Sequence, residues 1–563
     1  MERKYILVRD LAELPEELFA DLVLLNGKIV TVDGKEAIAE AVAVKGGRVL
    51  KLGSSQEIKK TVGKRTKFVD LKGKTVLPGF IDGHNHMPAN VSSVDLHWVR
   101  SMDELIGKLK EKAKKTPKGR WVVGGGFNES KLKDKRFPNR YDLDKASKEH
   151  PIAISRTGGH MGSIYNSYAL NLAGITKDTP DPTPPSYIER DPLTREPLGN
   201  LRESAEAPLQ RQRAKEPRPS ADEVKEALKE TFQQLLAWGI TSVMDPGIGG
   251  DKVEMYQELL EAGELPLRVT FLINRSGLTK TGPEGVKEKI EALKNIGLKR
   301  GFGNDWLRFL GLKLMTDGSM SAATCALYEP YVGQPNNYGI FHEAMGTKEE
   351  FTEYLTEAHK AGLPIGIHAI GDKAIDVTLD AIEAALKAYP VKDHRIRIEH
   401  CGLPTKKALS RMKRLGVTAA ASIGFGWELG DQHRALIGPE RMKRYYPMKS
   451  FKQNGIKAGA NFDHSVSMAD IVKGIYVMVT RKSESGQDLG QNERVSRMDA
   501  IRAFTIDAAY LQFEEKMKGS IEPGKLADMI VLDRDILTCP EEEIKDVQVL
   551  TTIVGGEIKY QRS

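Results

Sequence analysis

The sequence predicts an α/β protein: a distorted (β/α)8 barrel of the TIM type, a β-sandwich domain composed from both chain ends, and an insertion after the first barrel strand. Three observations predict this architecture. Short apolar strands alternate with amphipathic helices over most of the chain, which is the pattern of a β/α barrel. Strand-like sequence occurs at both ends of the chain, and the alternation is interrupted once, directly after its first strand.

Both ends of the chain read as series of short strands. Asn26-Gly27, Gly46-Gly47 and Gly555-Gly556 lie between apolar runs, and such pairs are typical of β-hairpin turns. Neither end has enough strands to form a stable domain by itself. We therefore expect residues 1–75 and 515–563 to combine into one composite β-sandwich domain.

The barrel is expected over residues 76–87 and 220–514. Eight apolar segments are candidates for its strands. They include or lie near Val76–Met87, Met244, Leu272, Lys313, His368, His400, Ala420 and Asp463. Helical segments fill the gaps, and several are followed by a glycine that predicts the end of a helix.

The stretch 88–219 is too long for an ordinary loop between a strand and a helix. It carries its own strand-like segments, RWVVGGGF and HPIAIS, and a proline-rich turn region. Loops that follow barrel strands lie at the catalytic mouth. We therefore expect an inserted subdomain over the active-site mouth that shapes the substrate pocket.

Composition excludes several classes of partner. The chain has 563 residues, 40% of them hydrophobic and 29% charged, as in ordinary globular proteins. The net charge of +7 is small for this length, so neither nucleic acid nor a membrane surface is expected as a partner. No apolar run is long enough for a membrane span. Three cysteines without CxxC spacing favour a reducing, cytoplasmic location.

Two histidines in the segment VLPGFIDGHNHM predict a metal site. On an extended strand, residues i and i+2 point to the same side, so His84 and His86 would face one spot. Four further candidate ligands end other apolar segments: Lys313, His368, His400 and Asp463. Barrel enzymes place their catalytic groups at the carboxyl ends of the strands. Several imidazoles with a carboxylate suit zinc or a similar divalent ion.

Motifs spread over nearly the whole chain carry a family resemblance. They are PGFIDGHNH, GGHMGSIYNSYALNLAGITKDTPDP, GNLRESA, KLMTDGSMSAATCALYEPY, IGIHAIGDKAID, RIEHCG, FDHSV and GSIEPGKLADMIVLD. In these the chain resembles the amidohydrolase superfamily, and within it the YtcJ-like branch of metal-dependent hydrolases that includes N-substituted formamide deformylases. The resemblance implies the barrel with its composite β-sandwich, a small-molecule substrate, one or two zinc ions and a homodimer.

The resemblance also implies roles for five of the candidate ligands. His84 and His86 would bind the more buried metal ion, and His368 and His400 the second. Asp463 would ligate the first ion and act as general base on the bridging water. The family often has a proline shortly after this aspartate, and its absence from FDHSV affects the expected substrate choice rather than the catalysis.

The same resemblance implies roles for Lys313 and His160, and the local sequence indicates roles for Asp317 and Glu399. Lys313 matches a lysine that is carbamylated (N6-carboxylated) and bridges two ions, because a carbamate is a bidentate anion whereas an ammonium cannot be a ligand. His160 matches a position that approaches the site from above and would hydrogen-bond the substrate carbonyl. Asp317 is expected in a turn that positions substrate. Glu399 is expected to point away from its neighbour His400 and to be structural.

These expectations predict a metal-dependent amidohydrolase that cleaves a non-peptide C–N bond, in an amide or formamide-like substrate, with a metal-activated water. Three alternatives remain: a mononuclear deaminase, an ester or lactone hydrolase, and a metal-free scaffold protein. Lys313 argues against the deaminase, which needs no bridging carbamate. The presence of all six candidate ligands argues against the scaffold.

Overall fold

A computed structural model describes residues 18–88, 91, 93–134, 136–158, 162–182, 186–217, 219–274 and 282–562. In these parts of the chain the strands form one eight-stranded sheet, two six-stranded sheets and one four-stranded sheet. Over the same ranges, no helix combines the length and the apolar character that crossing a membrane would require.

The N-terminal strands divide between two sheets. The elements are β1 (Leu22–Leu25), β2 (Lys28–Val30), β3 (Ile38–Ala39), β4 (Ala41–Lys45), β5 (Arg48–Gly53), α1 (Ser55–Lys59), β6 (Lys67–Asp70) and β7 (Thr75–Pro78). The four-stranded sheet has the order β5-β4-β1-β6, and β2, β3 and β7 belong to a six-stranded sheet. Gly46-Gly47 joins β4 to antiparallel β5, which confirms the predicted hairpin at this turn.

The predicted hairpin at Asn26-Gly27 is wrong. β1 pairs with β4 and β6, whereas β2 pairs with β3 and β7, so this turn carries the chain from one sheet to the other. Asn26 has a φ of 57°, a left-handed conformation that asparagine tolerates. A Cβ at Gly27 would lie 2.3 Å from Leu71 Cδ1, so the corner needs glycine for space. Turn residues predict a change of direction, and do not predict which strands pair.

The first barrel strand, β8 (Phe80–Asp82), is followed by the insertion. Its elements are β9 (Val94–Asp95), α2 (Met102–Lys115), β10 (Val122–Phe127), α3 (Arg140–Asp144), β11 (Ile152–Arg156), β12 (Ser163–Tyr165), α4 (Ser167–Leu172), β13 (Tyr187–Arg190), β14 (Pro197–Arg202) and α5 (Ala207–Arg213). The strands form a six-stranded sheet in the order β13-β14-β12-β11-β10-β9. The predicted strand segment RWVVGGGF contains β10, and β11 begins within the predicted segment HPIAIS and ends one residue after it. The insertion also has apolar clusters of its own.

Eight parallel strands form a nearly closed barrel sheet. The elements that follow the insertion are α6 (Ala221–Ala237), β15 (Ile240–Ile248), α7 (Gly250–Glu261), β16 (Arg268–Ile273), α8 (Gly282–Ile296), β17 (Leu307–Met315), α9 (Lys348–Lys360), β18 (Ile365–Ala369), α10 (Asp372–Ala388), β19 (Arg397–His400), α11 (Lys406–Leu415), β20 (Thr418–Ala421), α12 (Phe425–Glu428), α13 (Gly430–Met442), α14 (Met448–Gln453), β21 (Ala458–Ala460), α15 (Ile471–Thr480), α16 (Arg497–Ala503) and α17 (Ile506–Leu511). The sheet order is β21-β20-β19-β18-β17-β16-β15-β8. The Gly83 amide donates to the Ala460 carbonyl at 3.4 Å and so brings the first and last strands together. The predicted barrel with eight strands is confirmed.

The last strands complete the second six-stranded sheet. They are β22 (Met529–Leu532), β23 (Val549–Val554) and β24 (Glu557–Gln561), in the order β24-β23-β22-β7-β2-β3. Gly555-Gly556 joins β23 to antiparallel β24 as predicted. Met529 pairs with Pro78, so strands from the two ends of the chain share one sheet. The strand β7 extends across the predicted boundary after residue 75 and leads directly to β8.

Candidate metal centre

The predicted ligands in the described part of the chain lie at the carboxyl ends of barrel strands. His84 and His86 follow β8, and Asp463 follows β21. The other three are Lys313 near the end of β17, His368 near the end of β18 and His400 as the last residue of β19. The parallel sheet therefore brings residues far apart in sequence to one mouth of the barrel.

Three of these residues form a compact, buried cluster. The candidate ligand atoms of His84, His400 and Asp463 all lie within 4.8 Å of one another. His84 Nε2 is 3.5 Å from Asp463 Oδ1, and His86 Nε2 is 3.2 Å from the same oxygen. The two histidines therefore approach one carboxylate, although His84 is fully buried and the His86 side chain is 43% exposed.

The orientation of His84 depends on Glu399. His84 Nδ1 lies 2.6 Å from Glu399 Oε2, so this nitrogen donates a proton and Nε2 carries the lone pair. Burial, with the charge of Lys313, lowers the pKa of His84 to about 4 and keeps the ring in the neutral form that binds metals. His84 Nε2 is buried and has no hydrogen-bond partner among the residues described here. A buried lone pair that faces a carboxylate fits a cation between them.

Glu399 was expected to be structural, and the structure places it directly behind the metal centre. Burial raises its pKa, but the charge of Arg397 and the hydrogen bond from His84 outweigh this effect and lower it to about 2. Arg397 Nε lies 2.6 Å from Glu399 Oε1. His400 has a φ of 67°, so the regular alternation ends there and Glu399 and His400 need not face opposite sides.

His400 is held by a chain of hydrogen bonds. Ser422 Oγ donates to Asn461 Oδ1 at 2.6 Å and lies 2.8 Å from His400 Nδ1. Because the hydroxyl proton is used by Asn461, His400 Nδ1 is the donor in the second bond, which leaves its Nε2 with the lone pair. Neither Ser422 nor Asn461 was predicted, since a serine and an asparagine after barrel strands carry no motif.

His368 is close to His400, with ring centroids 4.5 Å apart. Its Nε2 donates to the Gly318 carbonyl at 3.0 Å and lies 3.4 Å from Asp317 Oδ1. Asp317 is fully buried and accepts hydrogen bonds from the backbone amides of Ala326, Ile370 and Gly371. Asp317 therefore joins two loops beside His368, and it does not face an open pocket as its expected role in positioning substrate requires.

Lys313 is almost completely buried. Burial lowers the pKa of its ammonium group, and the negative charges of Glu399 and Asp463 oppose this effect. The remaining candidate, His160, lies outside the described residues.

Comparisons with known proteins agree with this geometry. The model of the Amidohydrolase family matches residues 67–560. The chain is 30% identical to an N-substituted formamide deformylase from Arthrobacter pascens, over 96% of this chain and 99% of that protein. It is 26% identical to the putative amidohydrolase YtcJ from Bacillus subtilis, again over 96% and 99% of the two chains.

A solved structure shows the same architecture. An uncharacterized metal-dependent hydrolase from Pyrococcus furiosus is 28% identical and superposes with a TM-score of 0.69, over 92% of this chain and all of that one. Sequence, fold and the buried histidine–aspartate cluster therefore lead to one conclusion: this chain belongs to the Amidohydrolase family.

Proposed function

We propose that the protein is a zinc-dependent hydrolase that cleaves the C–N bond of an amide or formamide-like small molecule. The observation that carries the proposal is the buried, unpaired Nε2 of His84, which faces Asp463 within a cluster that also contains His400. Imidazole and carboxylate ligands are those that zinc prefers. The 30% identity to an N-substituted formamide deformylase supports a formamide-like substrate.

The ligand roles follow the resemblance and fit the distances. His84, His86 and Asp463 would hold one ion, since both imidazoles approach the same carboxylate oxygen. His368 and His400, whose rings are neighbours, would hold a second. We propose that Lys313 is N6-carboxylated and bridges the two. Its burial supports this role, because an uncompensated ammonium beside two cations would be strongly disfavoured.

A bound zinc ion supplies a water of lowered pKa and polarises a carbonyl. Asp463 accepts the proton of that water and transfers it to the leaving nitrogen. Burial raises the pKa of Asp463, but its interaction with His84 and its hydrogen bond with His86 hold the pKa well below its usual value, so Asp463 is present as the carboxylate, the form that accepts a proton. His160 is proposed to hydrogen-bond the substrate carbonyl, as its position in the GGH motif suggests.

The domain division is proposed in the same terms. Residues 1–75 and 515–563 form the composite β-sandwich, 76–87 and 220–514 the barrel, and 88–219 the inserted subdomain over the mouth. One apolar cluster with residues from β1, β4, β7, β22 and β23 supports the sandwich. We further propose a cytoplasmic homodimer that acts on a small molecule and binds neither nucleic acid nor a membrane.

The direct test is a screen of zinc-loaded protein against N-alkyl and N-aryl formamides and acetamides, with release of the amine as the readout. We expect hydrolysis that Asp463→Asn abolishes and Asp507→Asn retains. The control aspartate contacts Lys457 at 3.7 Å. Release of ammonia from purines instead would support the deaminase alternative. Cleavage restricted to esters and lactones would support the ester or lactone hydrolase alternative. No turnover of any compound by metal-loaded protein would contradict the proposal.

A further inference from the structure

A cavity of about 830 Å³ lies between the inserted subdomain and the barrel. The insertion supplies Glu129, Arg156 and Arg202 to its lining, and the barrel supplies Ser321 and Gln432. A volume of this size is in the range of sites that hold small molecules. None of the residues proposed as metal ligands lines it.

Two arginines in this lining have unused donors. The Arg156 side chain is 7% exposed, forms an ion pair with Glu129 and stacks on Phe137, with Cζ 4.8 Å from the ring centroid. Arg202 Cζ lies 5.7 Å from the Tyr187 ring centroid. The Nε atoms of both arginines are buried and have no hydrogen-bond partner in the part of the chain that the structure describes.

Both guanidinium groups belong to the lining of the same cavity. Burial, assisted by the charge of Arg202 and opposed by that of Glu129, lowers the pKa of Arg156 to about 10. Glu129 already neutralises Arg156, whereas no carboxylate forms an ion pair with Arg202 in the described ranges. The other carboxylate in the lining, Glu189, is only partly buried. The buried part of the cavity lining therefore attracts an anion.

Contacts connect the cavity to the metal centre. Arg156 is the last residue of β11. Two residues further along the chain, the Gly158 amide donates to the Val466 carbonyl at 3.1 Å. Val466 lies three residues after Asp463 in the sequence. On the barrel side, Ser321 Oγ lies 2.8 Å from His433 Nε2. The His433 ring contacts Phe425, which stacks on His400. Short contacts therefore link the cavity wall to the loops and rings that surround His400 and Asp463.

We propose that Arg156 and Arg202 bind a carboxylate on the part of the substrate remote from the scissile bond, and so make the enzyme selective for acidic amides. The planar guanidinium group matches a carboxylate with two parallel hydrogen bonds, and stacking on aromatic rings fixes its orientation in advance. This inference rests on the proposed function, and it names the substrate class of the same site.

The test compares matched substrates on the zinc-loaded enzyme. One series consists of ω-formamido carboxylates of increasing chain length, and the other of N-alkylformamides in which a methyl group replaces the carboxylate. We expect kcat/KM to favour the acids. Arg202→Met should lower kcat/KM for the preferred acid by about 10- to 100-fold, mainly through KM, and lower it far less for the neutral analogue.

The control is Arg213→Met. Arg213 also belongs to the insertion and lies over an aromatic ring, with Cζ 5.9 Å from the Trp121 centroid, but it is exposed and outside the cavity lining. This variant should retain the preference for the acids. Equal losses on both series in Arg202→Met, no loss on either, or a preference for cationic amides through Glu189 would overturn the inference.

Binding separates this inference from the proposed function. If neither of these series nor any compound of the amide screen is hydrolysed, the proposed function fails, and titration calorimetry of the same compounds still decides the role of the cavity. Tighter binding of an acid than of its neutral analogue, lost in Arg202→Met and kept in Arg213→Met, would support the arginine pair. Equal affinities for acid and analogue would reject it.

Discussion

The Nδ1 nitrogen of His84 lies 2.6 Å from Glu399 Oε2, although the two residues are separated by 315 positions in the chain. One follows the first barrel strand and the other lies in the sixth, so the closed barrel is what brings them together. The contact fixes which nitrogen of His84 faces Asp463. Such carboxylate–histidine pairs orient metal ligands and increase their basicity.

Glu399→Gln should weaken metal binding while the fold is kept. An amide can still contact His84 Nδ1, but it lacks the charge that stabilises the required tautomer. We expect zinc affinity to fall by about 10- to 100-fold, measured by competition with a chromogenic chelator. Glu493→Gln is the matched control, because Glu493 is a buried carboxylate that binds Ser450. Equal affinity in Glu399→Gln and wild type would contradict the orienting role.

Gly366→Ala should displace the Glu399 carboxylate by steric contact alone. A Cβ at Gly366 would lie 2.4 Å from Glu399 Oε1 and 2.7 Å from Leu272 Cδ1. We expect a loss of stability on the order of 1–3 kcal/mol, seen as a lower melting temperature, together with weaker zinc binding. Gly34→Ala is the control, since nothing lies within 4 Å of a Cβ there. Identical behaviour of the two variants would show that Glu399 can move without consequence.

His433 should make stability depend on pH. It is buried, and burial lowers its pKa to about 3. In the unfolded chain it takes up a proton near pH 6.5. Below that pH the unfolded state therefore binds one proton more than the folded state, so stability falls as the pH falls.

The expected slope from this residue is about 1.4 kcal/mol per pH unit between roughly pH 6.5 and 3. Denaturant unfolding of wild type and His433→Gln across the upper part of this window measures it. The difference in unfolding free energy between the two proteins should shrink as the pH decreases. A difference that does not change with pH would contradict the account.

Metal removal should lower thermal stability as well as activity, because a ligand that binds only the folded state stabilises it. We expect the melting temperature to fall after chelation and to recover when zinc is added. The melting temperature of Asp463→Asn should recover less when zinc is added, since this variant lacks the carboxylate that both His84 and His86 approach. Full recovery in that variant would exclude Asp463 as a ligand.

The sequence predicted the barrel because its strands and helices have strong, regular patterns. It predicted the approach of His84 and His86 to one point for the same local reason. The pairing of β1 and β2 with different sheets was missed, because turn residues such as Asn26-Gly27 report only a local change of direction. Strand partners depend on packing against distant residues such as Leu71.

The second layer of the metal centre was missed for a similar reason. Glu399 was assigned to the far side of its strand by alternation, which ends at His400 with its φ of 67°. The contact of Ser422 with His400 and the arginine-lined cavity both depend on segments that only the folded chain brings together. The candidate ligands could be proposed from the sequence because histidine and aspartate recur at the ends of the predicted strands, where barrel enzymes place their catalytic groups.

The most direct test of the proposed metal centre is the metal content of each chain, measured on protein purified without chelators and on Lys313→Ala. Lys289→Ala is a suitable control, because Lys289 is a partly buried lysine that donates to the Asn274 carbonyl. We predict about two ions per chain in wild type and the control, and about one in Lys313→Ala. A single ion that is unaffected by Lys313→Ala would contradict the bridging lysine, and no ion even after addition of zinc would contradict the metal centre itself.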